Sequence, residues 1–272
     1  MSTARILVKE IEASIYFFRA LQVYPQWENL AGESVMIVGC GSGYSEKCFF
    51  DHFPSAEKVI AIDKHLNVIH NVKQTNVNPK IEYNVADISK VFHCNCSVFR
   101  STLLSWECKM SRIFSLHLFH TLNLEQAFEN IHFLLRPGGE AAIFFINRSA
   151  VNDSYEVTIK QPEFEEFYQK SKHTLLNYTS SLKCMNIAEK AGLHVIYSIT
   201  VEGHGVFQNE QQTKDLIRHH LHSVKIPDEI EGTFLDKYGS IFKNYAEKKP
   251  DGRIYAKCTL IKLLAKKNRD LN

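Results

Sequence analysis

Short apolar runs alternate with amphipathic stretches through the first half of the chain. Val35 to Val38 is wholly apolar and β-branched at three of its four positions, which reads as a strand buried on both faces. Gly39, Gly41 and Gly43 follow, and Ser45-Glu-Lys-Cys-Phe-Phe50 opens a helix. Val59 to Ile62 predicts a second strand ending in Asp63. Leu66, Ile69 and Val72 then mark a helix at 3.6-residue spacing. Ile81 to Ala86 predicts a third strand, ending in Asp87-Ile88, and Arg112 to Leu118 a fourth. Asn123 can cap the next helix with Gln126 as its reciprocal partner, and Leu124, Phe128, Ile131 and Leu135 form its apolar stripe. Arg136-Pro-Gly-Gly139 stops that helix, and Glu140 to Ile146 predicts a fifth strand. Strand, helix, strand in this rhythm predicts an α/β chain with a doubly wound, mostly parallel sheet.

Before and after this core the pattern changes. Val8 to Leu21 reads as a leading helix within 1–30, with Ile11, Ile15, Phe18 and Leu21 on one side. The segment 89–108 is poorly periodic and reads as a loop that could hold a short helix. Beyond the core at 31–147, residues 150–180 are polar with aromatic interruptions at Phe164, Phe167, Tyr168 and Tyr178. Ser181 to Ala191 predicts a helix ended by Gly192, and His194 to Val201 a sixth strand. Residues 207–248 read as helical, with Ile230, Phe234, Tyr238, Ile241 and Tyr245 on one face. Arg253 to Leu264 is the last strand. The expected organisation is a single domain with cap insertions at 148–180 and 203–250 and a final strand at 251–266. In it a seven-stranded sheet closes on an antiparallel hairpin, and the helical cap lies over the carboxyl ends of the strands. An aromatic stripe is commonly core, and part of it could line an apolar cavity instead.

Composition narrows the function. In 272 residues, Lys+Arg 32 against Asp+Glu 30 leaves almost no net charge. No basic block stands out, so nucleic acid is not an expected partner. The longest wholly apolar run, Ala141 to Ile146, is too short to span a bilayer. No positive-then-apolar leader is evident, so the expected location is cytoplasmic. That would leave Asn177-Tyr-Thr179 unglycosylated. Seven scattered cysteines suit reduced thiols. His93-Cys94-Asn95-Cys96 with Cys108 matches no usual zinc spacing, so no metal is expected. Monomer and homodimer are equally open.

The chemistry gathers at the strand ends. Glycine at alternate positions lets the backbone turn sharply and approach a ligand. The dinucleotide form G-x-G-x-x-G would need glycine where Tyr44 stands. The G-x-G-x-G that is present resembles motif I of the class I, Rossmann-like methyltransferases that use S-adenosyl-L-methionine (SAM). The same spacing also suits a plain structural turn. Asp63, 20 residues after Gly43, can accept bonds from both ribose hydroxyls, or cap the segment that starts near Lys64. The resemblance implies that Asp87 takes the adenine amino group and that Ile88 packs near the ring. Asp87 read alone could be a turn residue. The cofactor set is therefore Gly39, Cys40, Gly41, Gly43, Asp63, Lys64, Asp87, Ile88 and Ser115.

A narrower resemblance lies in Phe114-Ser-Leu-His-Leu-Phe-His120, Gln126-Ala-Phe-Glu-Asn-Ile131 and Leu134-Leu-Arg-Pro-Gly-Gly139. It continues in Val206-Phe207, Ile226-Pro-Asp-Glu-Ile230 and Phe234-Leu-Asp-Lys-Tyr238. These stretches, within about residues 30–266, look like the juvenile hormone acid O-methyltransferase family of arthropods. That resemblance implies methylation of the carboxylate of a hydrophobic isoprenoid or fatty acid, such as farnesoic or juvenile hormone acid. His120, just past the fourth strand, matches a family histidine and is the candidate to orient the carboxylate; a structural histidine fits the position as well. His117 is assigned no role, and His219, His220 and His222 read as a solvated helix face. Phe119, Thr121, Phe164, Tyr168 and Phe207 are the candidate substrate residues.

The chain departs from these families in places. Motif I usually has an acid two residues before its first glycine, where this chain has Ile37, and that acid commonly helps hold the methionine end. The family's Phe-Asp at the start of the fourth strand is Met110-Ser111 here, the tryptophan after its histidine is Thr121, and its leading-helix glutamine has no match near Ile11. Two alternatives therefore stand beside the carboxyl methyltransferase: a methyltransferase on another small molecule, and a non-catalytic relative that binds SAM or a lipid.

Overall fold

A computed structural model of the chain describes residues 19, 21–22, 24–90, 105–171, 179–224 and 226–269. Most of the expected leading helix at 8–21, most of the 89–108 loop and the His93–Cys96 cluster lie outside them. β1 (Ser34–Val38), β2 (Lys58–Asp63), β3 (Ile81–Val85) and β4 (Met110–Leu116) are joined through α2 (Tyr44–His52) and α3 (Leu66–Thr75), after a short α1 (Pro25–Glu28). α4 (Leu124–Leu134) leads to β5 (Leu135–Ser149). α5 (Ala150–Ile159), α6 (Glu165–Ser171) and α7 (Ser181–Lys190) precede β6 (Leu193–Phe207). α8 (Glu210–Val224), α9 (Asp228–Phe242), β7 (Ala246–Lys248) and β8 (Ile254–Lys267) complete the order.

The sheet runs β3-β2-β1-β4-β5-β8-β6, with β7 paired antiparallel to β8. Among the described residues it has eight strands where seven were expected; the extra one is three-residue β7, too short to leave an apolar run. β1 is parallel to β2 on one edge and to β4 on the other, and β4 is parallel to β5. The chain order reverses between β1 and β4, and loops leaving such a pair diverge to open a crevice at the carboxyl ends. The mostly parallel, doubly wound sheet expected from the sequence is the one observed.

The described residues within 19–145, 179–200 and 261–269 belong to one compact unit, and those within 146–171 and 201–260 to the other. In the first, alternate residues of the strands point to opposite faces. Met36, Val38, Ile60, Ile62, Ile113 and Ile143 join a core with Phe128 and Ile131 of α4 and Ile187 of α7. Val35, Ile37 and Phe114 fall on the other face, where Phe49 of α2 lies 5.9 Å from Phe114. The second unit has its own core of Tyr155, Phe164, Phe207, Phe234, Tyr238 and Phe242, with α9 packed on α5.

Several local expectations are corrected. Leu66 is 71 % exposed at the start of α3, while Ile69 and Val72 are buried as the spacing requires. Asn123 caps α4 by accepting from Gln126 N at 3.1 Å, but the Gln126 side chain donates to Glu129 and Asn130, so the box is not reciprocal. Arg136-Pro-Gly-Gly139 ends the helix and already belongs to β5, with the register shifting between Met110 and Arg112 of its neighbour. On α9 the buried stripe runs through Phe234, Tyr238 and Phe242, four apart, and passes beside Ile241.

Buried Asn130 of α4 donates through Nδ2 to the Ile88 carbonyl at 2.6 Å and the Lys90 carbonyl at 2.8 Å, which fixes the segment after β3. Asn130→Ala would leave two acceptors without a donor, and a loss of about 2 kcal/mol in denaturant unfolding is the expected outcome.

Candidate cofactor and active site

The turn after β1 is built by backbone bonds. Gly39 N and Cys40 N both donate to the Ile62 carbonyl, at 2.8 and 3.0 Å, so the turn is held to the end of β2. Gly43 N donates to the Cys40 carbonyl at 3.0 Å, and Gly43 is the residue that caps α2. Gly43 has φ +85°, and a Cβ there would meet Val72 at 2.7 Å, so a side chain is barred both by backbone and by packing. Gly41 differs: its φ is +54°, but a Cβ would meet nothing within 4 Å. The bare backbone at Gly41 therefore faces open space, as close approach by a ligand requires.

Asp63 sits half-buried at the end of β2. Its Oδ2 accepts from Gly41 N at 3.3 Å and its Oδ1 from His65 N at 3.0 Å. Asp63 thus ties strand end, glycine turn and helix start together, and its carboxylate lies beside the open space at Gly41. The N-cap position of α3 belongs to His65, not to Asp63. Asp87 accepts from the Ser89 N–H and hydroxyl through Oδ1, at 2.9 and 2.6 Å, which is the turn role the sequence left open. Ile88 beside it is buried in the core, and Lys64 is exposed.

Two expected cofactor groups face inward. Ser115 is fully buried, and its hydroxyl donates to the Val38 carbonyl at 2.9 Å, pinning β4 to β1 rather than meeting a ligand. The Cys40 side chain is also buried, and burial pushes its thiol well above the usual range, so only the Cys40 backbone takes part in the turn.

The other lip of the crevice follows β4. His117 adopts φ +52°, uncommon for a residue with a side chain, and its N–H donates to the Phe144 carbonyl at 2.7 Å. This kink turns the chain into a short 3-10 segment, Phe119–Thr121. Leu118 lies so close to Gly39 that a Cβ there would come within 2.8 Å of its Cδ2, which places this segment against the glycine turn. Phe119 is buried between Phe128 and Phe145, ring centroids 5.4 and 6.1 Å away, and is a core residue, not a substrate contact. Thr121 is exposed, and its hydroxyl donates to the Leu118 carbonyl at 2.8 Å. His120 is half-buried, and its Nδ1 has no hydrogen-bond partner among the described residues. Burial holds its imidazole down to about 4, so it is neutral at physiological pH.

The remaining expected substrate residues belong to the other unit. Phe164 packs on Phe234 with the rings tilted and their centroids 4.8 Å apart, Phe207 lies 6.4 Å from Phe242, and Tyr168 packs on the same cluster. Phe164 and Phe207 are buried side chains of that core.

Sequence reasoning passed over Glu46. It stands in the first turn of α2, is fully buried, and neither carboxyl oxygen has a hydrogen-bond partner among the described residues. The available signal was an acid three residues before Phe49, on the helix face turned to the sheet.

His120 has a stability consequence with a definite sign. Its folded-state value lies below the unfolded one near 6.5, so its contribution is complete above about pH 6.5 and is lost as pH falls toward 4. The urea midpoint of the parent should drop more between pH 7 and 5 than that of His120→Gln; parallel curves would contradict the buried neutral imidazole.

Residues 36–143 match the family model described as a methyltransferase domain. No curated protein matches the chain in sequence. Among solved structures, a proposed methyltransferase from Bacillus halodurans aligns at 12 % identity and TM-score 0.58, over 93 % of this chain and 98 % of its own. A proposed sarcosine dimethylglycine methyltransferase from Galdieria sulphuraria aligns at 11 % and 0.55, over 95 % and 86 %. A geranyl diphosphate methyltransferase aligns at 11 % and 0.50, over 94 % and 78 %. At these identities the likeness shows the fold. The domain match spans β1 to β5, the stretch that carries the glycine turn, Asp63, Asp87 and the segment after β4, so the part of the chain that resembles a methyltransferase domain is the part that builds this crevice.

Proposed function

We propose that the protein is an O-methyltransferase that transfers the methyl group of SAM to the carboxylate of a hydrophobic acid of the isoprenoid or fatty class, farnesoic and juvenile hormone acids being the model compounds. The observation that carries this reading is His120: a neutral imidazole two residues past Leu118, the residue that packs on Gly39, with one nitrogen unpaired among the described residues. A neutral imidazole can donate through one ring N–H, and a carboxylate oxygen is a strong acceptor for it.

SAM supplies an electrophilic methyl group on a sulfonium. A carboxylic acid with pKa of about 4–5 is already ionised at neutral pH, so no residue need act as general base. The chain's contribution is placement. Gly41 leaves room for close approach, Asp63 is set to receive the ribose hydroxyls and Asp87 the adenine amino group, and His120 orients the acceptor oxygen. Attack in line at about 3 Å then depends on holding the partners still and keeping water out. The aromatic content of the chain beyond β5 suits an apolar acid. The geranyl diphosphate enzyme handles an isoprenoid with a related fold, which supports such a substrate class without identifying it.

Two measurements test this reading. Asp63→Ala should weaken SAM at least about tenfold in calorimetry, because two charge-assisted hydrogen bonds are lost; unchanged affinity would remove Asp63 from the site. A labelled methyl-transfer panel of isoprenoid and fatty acids should yield a methyl ester, with kcat/KM reduced at least about tenfold in His120→Ala and SAM affinity retained. SAM binding with no ester from any acid would refute the substrate class.

A further inference from the structure

The cofactor carries three charged groups: a sulfonium, an ammonium and a carboxylate. A buried ammonium needs an acceptor, and a carboxylate is the strongest. Three acids lie near the crevice. Both oxygens of Asp63 already accept backbone N–H bonds, from Gly41 and His65, and Oδ1 of Asp87 accepts two from Ser89. Glu46 is the third, with neither oxygen bonded to anything among the described residues although it is fully buried.

Its position is set by two periodicities. Glu46 and Phe49 are three apart and share the face of α2 that meets Phe114. Phe114 is the register partner of Ile37, so Ile37 lies on that same face of the sheet and brings no charge to it. Glu46 enters this face from the helix that Gly43 caps, within electrostatic reach of Cys40 in the turn and Asp63 at the end of β2. A fully buried carboxyl without partners costs several kcal/mol if charged, so its retention there calls for a ligand or a proton.

We propose that Glu46 is the acid that receives the ammonium of the SAM methionine end, and that it gives up its proton to solvent as the cofactor enters. The inference rests on the SAM site and is independent of the methyl acceptor. Without ligand Glu46 is raised to about 8, chiefly by burial, which outweighs the opposing effect of its own backbone N–H and is aided by the nearby Asp63. The titratable groups that act on it or feel it are Cys40 in the turn, Asp63 at the end of β2 and Tyr83 on β3, all acids, so among the described residues no neighbouring cation already neutralises it. The arriving ammonium is that cation. The O–H bond of the carboxyl breaks, its proton passes to buffer, and the carboxylate pairs with the ammonium.

Calorimetry of the full chain with SAM at pH 6.5, in buffers of different ionisation enthalpy, counts the protons released. The parent should release close to one proton, and S-adenosylhomocysteine, which keeps the ammonium and lacks the sulfonium charge, should release the same. Glu46→Gln should release none and bind SAM about tenfold more weakly. SAM binding without proton release, release retained in Glu46→Gln, or release with SAM but not with S-adenosylhomocysteine would each overturn the assignment. The parent's proton count decides the question even if the variant fails to fold. No SAM binding by the parent would overturn the cofactor site itself.

Discussion

The parallel pairing of β1 with β2 is the constraint on which the site depends. It brings the Ile62 carbonyl to the point where Gly39 N and Cys40 N both donate to it, and it sets Asp63 beside Gly41. The glycine turn is thereby held from outside its own sequence. Glycine makes the conformation accessible, and the neighbouring strand selects it from the others that glycine allows. Because β4 pairs on the other edge of β1, the same arrangement fixes where the 117–121 segment leaves the sheet.

Polar side chains buried near this point are mostly employed in holding strands and segments together. Ser115 closes β4 onto β1, Asn130 grips the carbonyls after β3, and Asn76 donates to the Gly43 carbonyl and to the Tyr83 hydroxyl. Each satisfies a backbone or side-chain group that burial would otherwise leave unpaired. Against that background Glu46 and His120 stand apart, because burial has shifted both toward neutrality in opposite senses. Both therefore reach neutral pH uncharged, one as a carboxylic acid and one as an imidazole.

The chain's own sequence determined a good deal. Apolar runs of strand length, each followed by a glycine turn, an acid or a helical stripe, were enough to order β1 to β5 and to point to Gly39, Gly41, Gly43, Asp63 and Asp87. These signals are legible because period and punctuation are local properties of the chain. Tertiary structure decided which of the candidates turn their side chains into the core. Ser115, Cys40 and Phe119 lie at the right sequence positions and turn inward, because strand alternation and packing against α4, not spacing, choose the direction of a side chain. The significance of Glu46 was equally invisible, since an acid in a first helical turn is ordinary until the fold covers it and supplies no partner. The open space at Gly41 and the contact between Gly39 and Leu118 arise only when strands distant in sequence are hydrogen-bonded in register, which no local pattern encodes.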